Sequence, residues 1–128
     1  MASGFPAATG DVMTAAMFNG LVTYTLNTQS GATYTVANSD LYQALVITSN
    51  ASTKTVTIAP DSTLTAAANG SAITFLNTGA GALTFAQGSG VTITSAGGTS
   101  SAPTLAQYKT AVAIRTGANA WTIVGAIA

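Results

Sequence analysis

Residues 71–94 read SAITFLNTGAGALTFAQGSGVTIT, and this stretch decides the fold. It holds three short segments in which apolar residues stand two apart: Ile73 with Phe75, Leu83 with Phe85, and Val91 with Ile93. A spacing of two places side chains on one face of a β-strand, whereas a helix would scatter them. Glycines at 79, 81, 88 and 90 separate the segments, and glycine allows positive φ where a chain reverses. The stretch therefore predicts three strands with one buried face each, joined by glycine turns.

The same period-two pattern extends over most of the chain from residue 21 onward. We predict about nine short strands at intervals of roughly 8–12 residues, which is typical of an all-β sandwich or jelly-roll-like domain. Residues 21–36 predict a first hairpin around Gly31. Residues 41–48 carry three consecutive large apolar side chains, Leu45, Val46 and Ile47, which indicates a strand buried on both faces or bent at its entry.

A last hairpin is predicted for residues 108–125, where YKTAVAIRTG is followed by AWTIVG. Here Val112 and Ile114 are expected to point inward, and Trp121 and Ile123 to share one face. Trp121 is the only tryptophan, and we expect it in the core because it can bury 150–250 Å².

A repeating β-solenoid is an alternative to the sandwich. The segments TVTIAP, ALTFAQ and GVTITS share a small, threonine and apolar alphabet, as a repeat would. The irregular intervals between them, and two ends that differ from the middle, favour the compact sandwich.

The first 20 residues differ from the rest of the chain. Residues 1–9 predict an extended arm, and DVMTAAMFNG at 11–20 predicts a short helix capped by Asp11. Two helical turns are marginal alone in water, so we expect them to be held by the sheet or by a neighbouring subunit. The predicted organisation is an N-terminal arm with a short helix over 1–20 and a β-sandwich domain over 21–128.

The composition argues against catalysis. The chain of 128 residues is 5% charged and has no cysteine, histidine or glutamate, whereas ordinary soluble domains are about 25% charged. Its six charged side chains give a net charge of zero, and they are Asp11, Asp40, Asp61, Lys54, Lys109 and Arg115. Nucleophilic catalysis needs a base beside its nucleophile, and few bases are present. We therefore predict no enzyme, and no catalytic, cofactor-binding or metal site.

Other candidate sites have local explanations. Asp11 suits a helix cap, and Asp40 and Asp61 suit turns, although either of the latter two could hold calcium with backbone carbonyls. The glycine-rich GAGALTFAQGSG suggests a phosphate loop, but no helix follows it. Four tyrosines could form a patch that stacks on sugars: Tyr24, Tyr34, Tyr42 and Tyr108.

The charge balance also predicts the partners. A net charge near zero promotes self-association, so we expect a homo-oligomer. Three scattered cations cannot follow a phosphate backbone, which argues against nucleic acid. No apolar run is long enough to span a bilayer, so no membrane partner is expected.

Three motifs resemble a β-rich module of virion proteins from tailed bacteriophages. They are I-T-F-x-N-T-G-x-G over residues 73–81, V-T-I over 91–93 and T-G-x-N-x-W over 116–121. The resemblance covers roughly the last two thirds of the chain, and TGDVMTAAMFN at 9–19 is similar to a segment that opens many such proteins.

The resemblance implies a structural protein of the virion. Such modules occur in tail fibres, head fibres and capsid decoration proteins, and fibre copies are mostly attached to a shaft. This chain reads as the module plus a short arm, which favours a capsid decoration (cement) protein, commonly a trimer. The resemblance thus implies the major capsid protein as partner and a place on the capsid surface after synthesis in the host cytoplasm. The alternative is the tip of a tail or head fibre that binds a host-surface receptor such as a glycan.

Overall fold

A computed structural model describes Ala15, residues 23–41 and residues 43–128 of the chain. The described residues contain ten strands and one short 3-10 helix, which spans Asn38–Leu41 between β2 and β3. The strands are β1 (Thr25–Gln29), β2 (Thr33–Thr35), β3 (Ala44–Thr48), β4 (Lys54–Ile58), β5 (Ala72–Asn77), β6 (Leu83–Gln87), β7 (Thr92–Ser95), β8 (Thr104–Leu105), β9 (Lys109–Gly117) and β10 (Ala120–Gly125).

The strands form two mixed sheets. One has six strands in the order β1-β3-β5-β9-β10-β7, and the other has four in the order β2-β4-β6-β8. This confirms the predicted all-β class, with ten strands in the described part of the chain where about nine were predicted. The predicted sandwich or jelly-roll arrangement is not confirmed.

The first six strands alternate between the two sheets, and each of β1 to β4 pairs in parallel with the strand two places later. In the six-stranded sheet Leu45 of β3 is aligned with Thr74 of β5, and in the other sheet Val56 of β4 is aligned with Phe85 of β6. Strands β1–β2, β3–β4 and β5–β6 thus form three stacked turns of chain, which we call coils 1, 2 and 3. This parallel stacking is the pairing expected of the solenoid alternative.

The predicted first hairpin is therefore wrong. Strand β1 pairs with β3 and strand β2 pairs with β4, so the chain around Gly31 turns a corner from one sheet to the other. The alternating pattern predicted the strands but not their neighbours. Alternation with a period of two shows which face of a strand is buried, but it does not show which other strand pairs with it.

The C-terminal strands pair differently. Strand β9 is antiparallel to both β5 and β10, and β10 is parallel to β7. The predicted last hairpin, β9–β10, is confirmed, and its turn contains Asn119 at φ 50°. Mixed pairing of this kind differs from a jelly roll, whose strands are antiparallel throughout.

One hydrophobic core lies between the two sheets. Its members come from both sheets, and Phe75 of β5 meets Phe85 of β6 edge to face with ring centroids 5.0 Å apart. All six apolar residues that define the pattern of residues 71–94 are at most 4% exposed, as predicted. Trp121 is fully buried in the same core.

Strand β9 has the opposite orientation to the predicted one. Ala111 and Ala113 are buried in the core, whereas Val112 and Ile114 lie on the outer face and are half-buried. The register explains the inversion, because Ala111 is aligned with Phe75. A close-packed interior places small side chains beside large ones, and the alanines leave room for the aromatic rings.

The glycines of the central stretch also have a different role from the one predicted. Gly90 adopts a φ of +75°, as expected of a turn. Gly79, Gly81 and Gly88 instead lie against the backbone of the preceding coil, and a Cβ at Gly81 would stand 1.8 Å from the carbonyl oxygen of Ser52. The corner of coil 3 thus sits directly on the corner of coil 2.

The predicted N-terminal arm and helix, with Asp11 as cap, lie outside the described residues apart from Ala15, which is exposed. The proposed boundary between residues 20 and 21 stays a prediction.

Candidate functional site

The two described aspartates lie in separate networks. Asp40 is buried and lies in the 3-10 helix that follows coil 1. Its carboxylate accepts hydrogen bonds from the Asn27 amide at 2.8 Å, the Tyr34 hydroxyl at 2.6 Å and the Ala37 backbone N–H at 2.9 Å. Because both carboxylate oxygens are engaged inside the fold, Asp40 acts as a structural acceptor that closes the first coil with a polar layer.

Tyr34 is held in this layer by burial and by Asp40. Its pKa is raised to about 12, first because burial disfavours the phenolate and then because the hydroxyl donates to Asp40. The half-buried ring packs against the hydrophobic core, and Tyr34 is aligned with Val56 of coil 2 in the four-stranded sheet. Tyr34 is therefore a structural donor, and it does not belong to a sugar-binding patch.

This pKa predicts an alkaline loss of stability. The folded chain holds the Tyr34 proton more tightly than the unfolded chain, so the contribution of this group is complete below pH 10 and falls as the pH rises from 10 to about 12. Tyr34→Phe should remove that dependence and also lower stability at neutral pH, because Asp40 loses a donor. Urea unfolding at several pH values measures both, with Tyr108→Phe as an exposed control. Parallel alkaline slopes for Tyr34→Phe and the unmodified chain would contradict the prediction.

Asp61 forms an ion pair with Arg115. The guanidinium donates through Nη2 to Oδ2 at 2.7 Å and through Nε to Oδ1 at 3.2 Å, and the backbone N–H of Asn119 donates to Oδ2 at 3.0 Å. The hydrogen bond from Arg115 is the main reason that the pKa of Asp61 is lowered. The network ties the loop after β4 to the turn of the β9–β10 hairpin, in agreement with the predicted turn role of Asp61.

The described cations do not form a binding site. Lys54 is 2% exposed, and its ammonium group donates to the carbonyl of Gly31 at the corner of coil 1. Burial lowers the pKa of Lys54. Lys109 is exposed at the start of β9. The described part of the chain contains no group of three His, Cys, Asp or Glu side chains that could hold a metal ion.

Three glycine N–H groups of the glycine-rich segment are hydrogen-bonded to backbone carbonyls. The N–H groups of Gly79, Gly81 and Gly88 donate to the backbone carbonyls of Thr48, Asn50 and Ile58, respectively. A phosphate cradle needs backbone donors directed at the ligand, and these three donors are used to join one coil to the next.

Asn77 occupies the corner where coil 3 leaves the six-stranded sheet, within the I-T-F-x-N-T-G-x-G motif. Its amide donates to the carbonyls of Gly81 and Leu105, both at 2.9 Å, and its oxygen accepts from the Thr48 hydroxyl and the Gly79 N–H. The side chain is 1% exposed and fully hydrogen-bonded. This motif therefore encodes a corner of the fold, and sequence reasoning had no means of separating that role from a functional one.

The tyrosines that the structure describes do not form one patch. Tyr24 precedes β1 and is 52% exposed, whereas Tyr108 precedes β9 and is 74% exposed. The pairing of Asn77 with Lys109 places Tyr108 at the opposite ends of the strands from Tyr24. Tyr42 lies outside the described residues. Among the described tyrosines, Tyr108 alone combines high exposure with a left-handed backbone, at φ 60°.

The outer side of the six-stranded sheet carries an uncharged aliphatic surface. Cross-strand registers place Leu26, Leu45, Thr74, Val112 and Val124 in one row across β1, β3, β5, β9 and β10. Leu26 is 63% and Val124 45% exposed. We call this surface the aliphatic face, and its members are Leu26, Leu45, Ile47, Leu76, Val112, Ile114 and Val124.

The outer side of the four-stranded sheet is different. The registers align Thr33 with Thr55, Thr84 and Thr104 in one row, and Thr35 with Thr57 and Ala86 in a second. We call this surface the threonine face. Threonine suits strands because its branched Cβ packs well, and its hydroxyl keeps the surface hydrated.

The sequence contained a signal for the aliphatic face. Strand β3 reads ALVIT, with apolar side chains on both sides of the strand, and Val46 is buried while Leu45 and Ile47 are half-buried on the outside. The interpretation as a strand buried on both faces detected this excess of apolar residues. It did not show that the same row continues into β1, β9 and β10.

Comparisons of the chain with models of protein families, with curated proteins and with solved structures found no match. Within the described residues there is no helix long and apolar enough to cross a membrane.

Proposed function

We propose that this chain is a non-enzymatic structural protein of a bacteriophage virion, a capsid decoration protein that binds and stabilises the assembled head as an oligomer. The observation that carries the proposal is the aliphatic face, a surface without ionisable side chains that extends over five of the six strands of the larger sheet. The largest contiguous apolar patch on a soluble protein is often a functional surface. The motifs over residues 73–81, 91–93 and 116–121 supply the resemblance to virion proteins.

Most of the described charged side chains are buried or ion-paired, which supports the same proposal. Asp40 and Lys54 are buried, and Asp61 is paired with Arg115. Among the residues that the structure describes, Lys109 therefore carries the one exposed side-chain charge without an ion-pair partner. A surface with so little charge binds through shape and apolar contact. A protein that binds only the assembled shell stabilises the shell by mass action.

We also propose that the two sheets form a sandwich-like body whose first part is coiled. The shared core and the Phe75–Phe85 contact support this arrangement. Parallel coils stacked at their corners make a rigid body, which suits a protein that holds a partner in place.

Quantification of the chain in purified particles tests the function. We expect many copies on the head, in a fixed ratio to the major capsid protein, and a higher disruption temperature for shells to which the purified chain has been added. Shells without the chain are the control. A chain absent from heads, or one that binds heads without raising their disruption temperature, would refute the decoration role.

A fibre-tip module that binds a glycan is a second candidate, and Tyr108 favours it. This ring is highly exposed on a left-handed residue, and unusual backbone conformations cluster at binding sites. An exposed aromatic ring is also a platform on which a sugar can stack. The same quantification separates the two candidates, because a fibre tip would be present in few copies, all on the tail or on head fibres.

A further inference from the structure

We propose that the aliphatic face is the surface through which one copy of this chain binds a second copy. The proposal rests on the proposed function, since it assigns the contact that makes the decoration protein an oligomer. Sheets associate face to face when their outer side chains are apolar, with the sheets about 10 Å apart. The aliphatic face provides such side chains on β1, β3, β5, β9 and β10.

Packing on the core does not account for these side chains. The partly buried apolar residues that pack against the core are Tyr34, Leu41, Ala67 and Ile127, and no member of the aliphatic face is among them. Each member alternates along its strand with an inward-facing residue, as Leu45 does with Ala44 and Val46. They therefore point away from the core and form a separate apolar layer.

Charge favours a second copy as the occupant. The outward positions of the six-stranded sheet are aliphatic, alanine or threonine, so two such faces bring no like charges together. The net charge of zero removes the long-range repulsion between copies. The threonine face is uncharged too, but its hydroxyls keep their water, and burying them without partners is costly.

The size of the face indicates the strength of the contact. Five strands about 4.8 Å apart, each about five residues long at 3.3 Å per residue, give a flat area of roughly 400 Å². Stable interfaces bury about 800 Å² of accessible surface per partner. The face alone therefore supplies a weak, reversible contact, and we expect association that depends on protein concentration.

Sedimentation equilibrium of the full-length chain tests the proposal, from about 1 μM to 1 mM, where weak interfaces associate. The test variant is Leu26→Lys with Val124→Lys. Both side chains are already exposed, so lysine leaves no buried charge in the single copy. The matched control is Thr33→Lys with Thr84→Lys, which adds the same charge to the threonine face.

We expect the unmodified chain and the threonine-face variant to associate, and the aliphatic-face variant to dissociate at least about tenfold more readily, because like charges then meet in the interface. Three outcomes would overturn the proposal: a monomer over the whole range, association that the aliphatic-face variant leaves unchanged, or equal weakening by both variants. A monomer whose thermal stability falls in the aliphatic-face variant would assign the face to a contact within the chain. Particle binding is measured separately, so a monomer that still decorates heads would reject this interface and leave the proposed function standing.

Discussion

Gly81→Ala should lower the free energy of unfolding by about 3 kcal/mol or more. A Cβ at this position would stand 1.8 Å from the carbonyl oxygen and 2.1 Å from the carbonyl carbon of Ser52. Both atoms belong to the backbone, so no side-chain rotation can relieve the overlap. The corner of coil 3 would have to lift off the corner of coil 2, which would break the hydrogen bond from Gly81 N–H to the carbonyl of Asn50.

Gly98→Ala is the matched control for this prediction. Nothing lies within 4 Å of a Cβ built on Gly98, and its φ is outside the left-handed region. The control should be neutral, or more stable by up to about 1 kcal/mol, because alanine restricts the unfolded chain. Urea unfolding followed by circular dichroism measures both variants. Equal stability of Gly81→Ala and Gly98→Ala would show that the corners of successive coils are not in contact.

Trp121→Ala should cost about 3–5 kcal/mol of unfolding free energy, the range found for removing a large aromatic side chain from a core. Trp121 is fully buried, and β10 aligns it with Ile93 on one side and Arg115 on the other. Its removal leaves a cavity in the core that the surrounding side chains can fill only in part. Of the core side chains, it is the largest that is fully buried.

Two further variants make the Trp121 prediction specific. Trp121→Phe keeps an aromatic ring and removes an indole N–H that has no acceptor in the described part of the chain, so its loss should be clearly smaller. Thr122→Ala, on the outer side of the same strand, removes one exposed hydrogen bond to Thr94 and should cost about 1 kcal/mol or less. Similar losses for Trp121→Ala and Thr122→Ala in urea unfolding would contradict the inward position of Trp121.

These two predictions concern the rigidity on which the proposed function depends. In the proposed role the chain binds through a fixed shape, which the stacked corners and the shared core hold. Variants that loosen either one should therefore weaken association even though they leave the aliphatic face unchanged.

Among the residues that carried the resemblance, Asn77, Gly79 and Asn119 are corner or turn residues. Asn77 and Gly79 are hydrogen-bonded to Thr48 of coil 2, and Asn119 joins the β9–β10 turn to Asp61. Their polar groups form hydrogen bonds with other residues of the fold. The surface that best supports a function consists of ordinary aliphatic residues, and the local pattern of β3 marked only a part of it.

By itself, the sequence determined the all-β class, the inward residues of β5, β6 and β10, the last hairpin and the scarcity of charge. The strand assignments follow from local physics. Alternating apolar and polar side chains indicate a strand and its buried face wherever one set of alternate residues is clearly more apolar than the other. The scarcity of charge follows from composition, which limits the available chemistry whatever the fold.

Only the tertiary structure decided the parallel stacking of the coils, the inverted orientation of β9 and the continuity of the aliphatic face. Strands pair through backbone groups that are the same at every residue. The sequence of a strand therefore does not determine which strand it pairs with. In β9 both faces of the strand carry apolar residues. Ala111 and Ala113 face inward because Phe75, which is distant in sequence, fills the space beside them. Packing against partners far along the chain therefore determined which side chains were left on the surface.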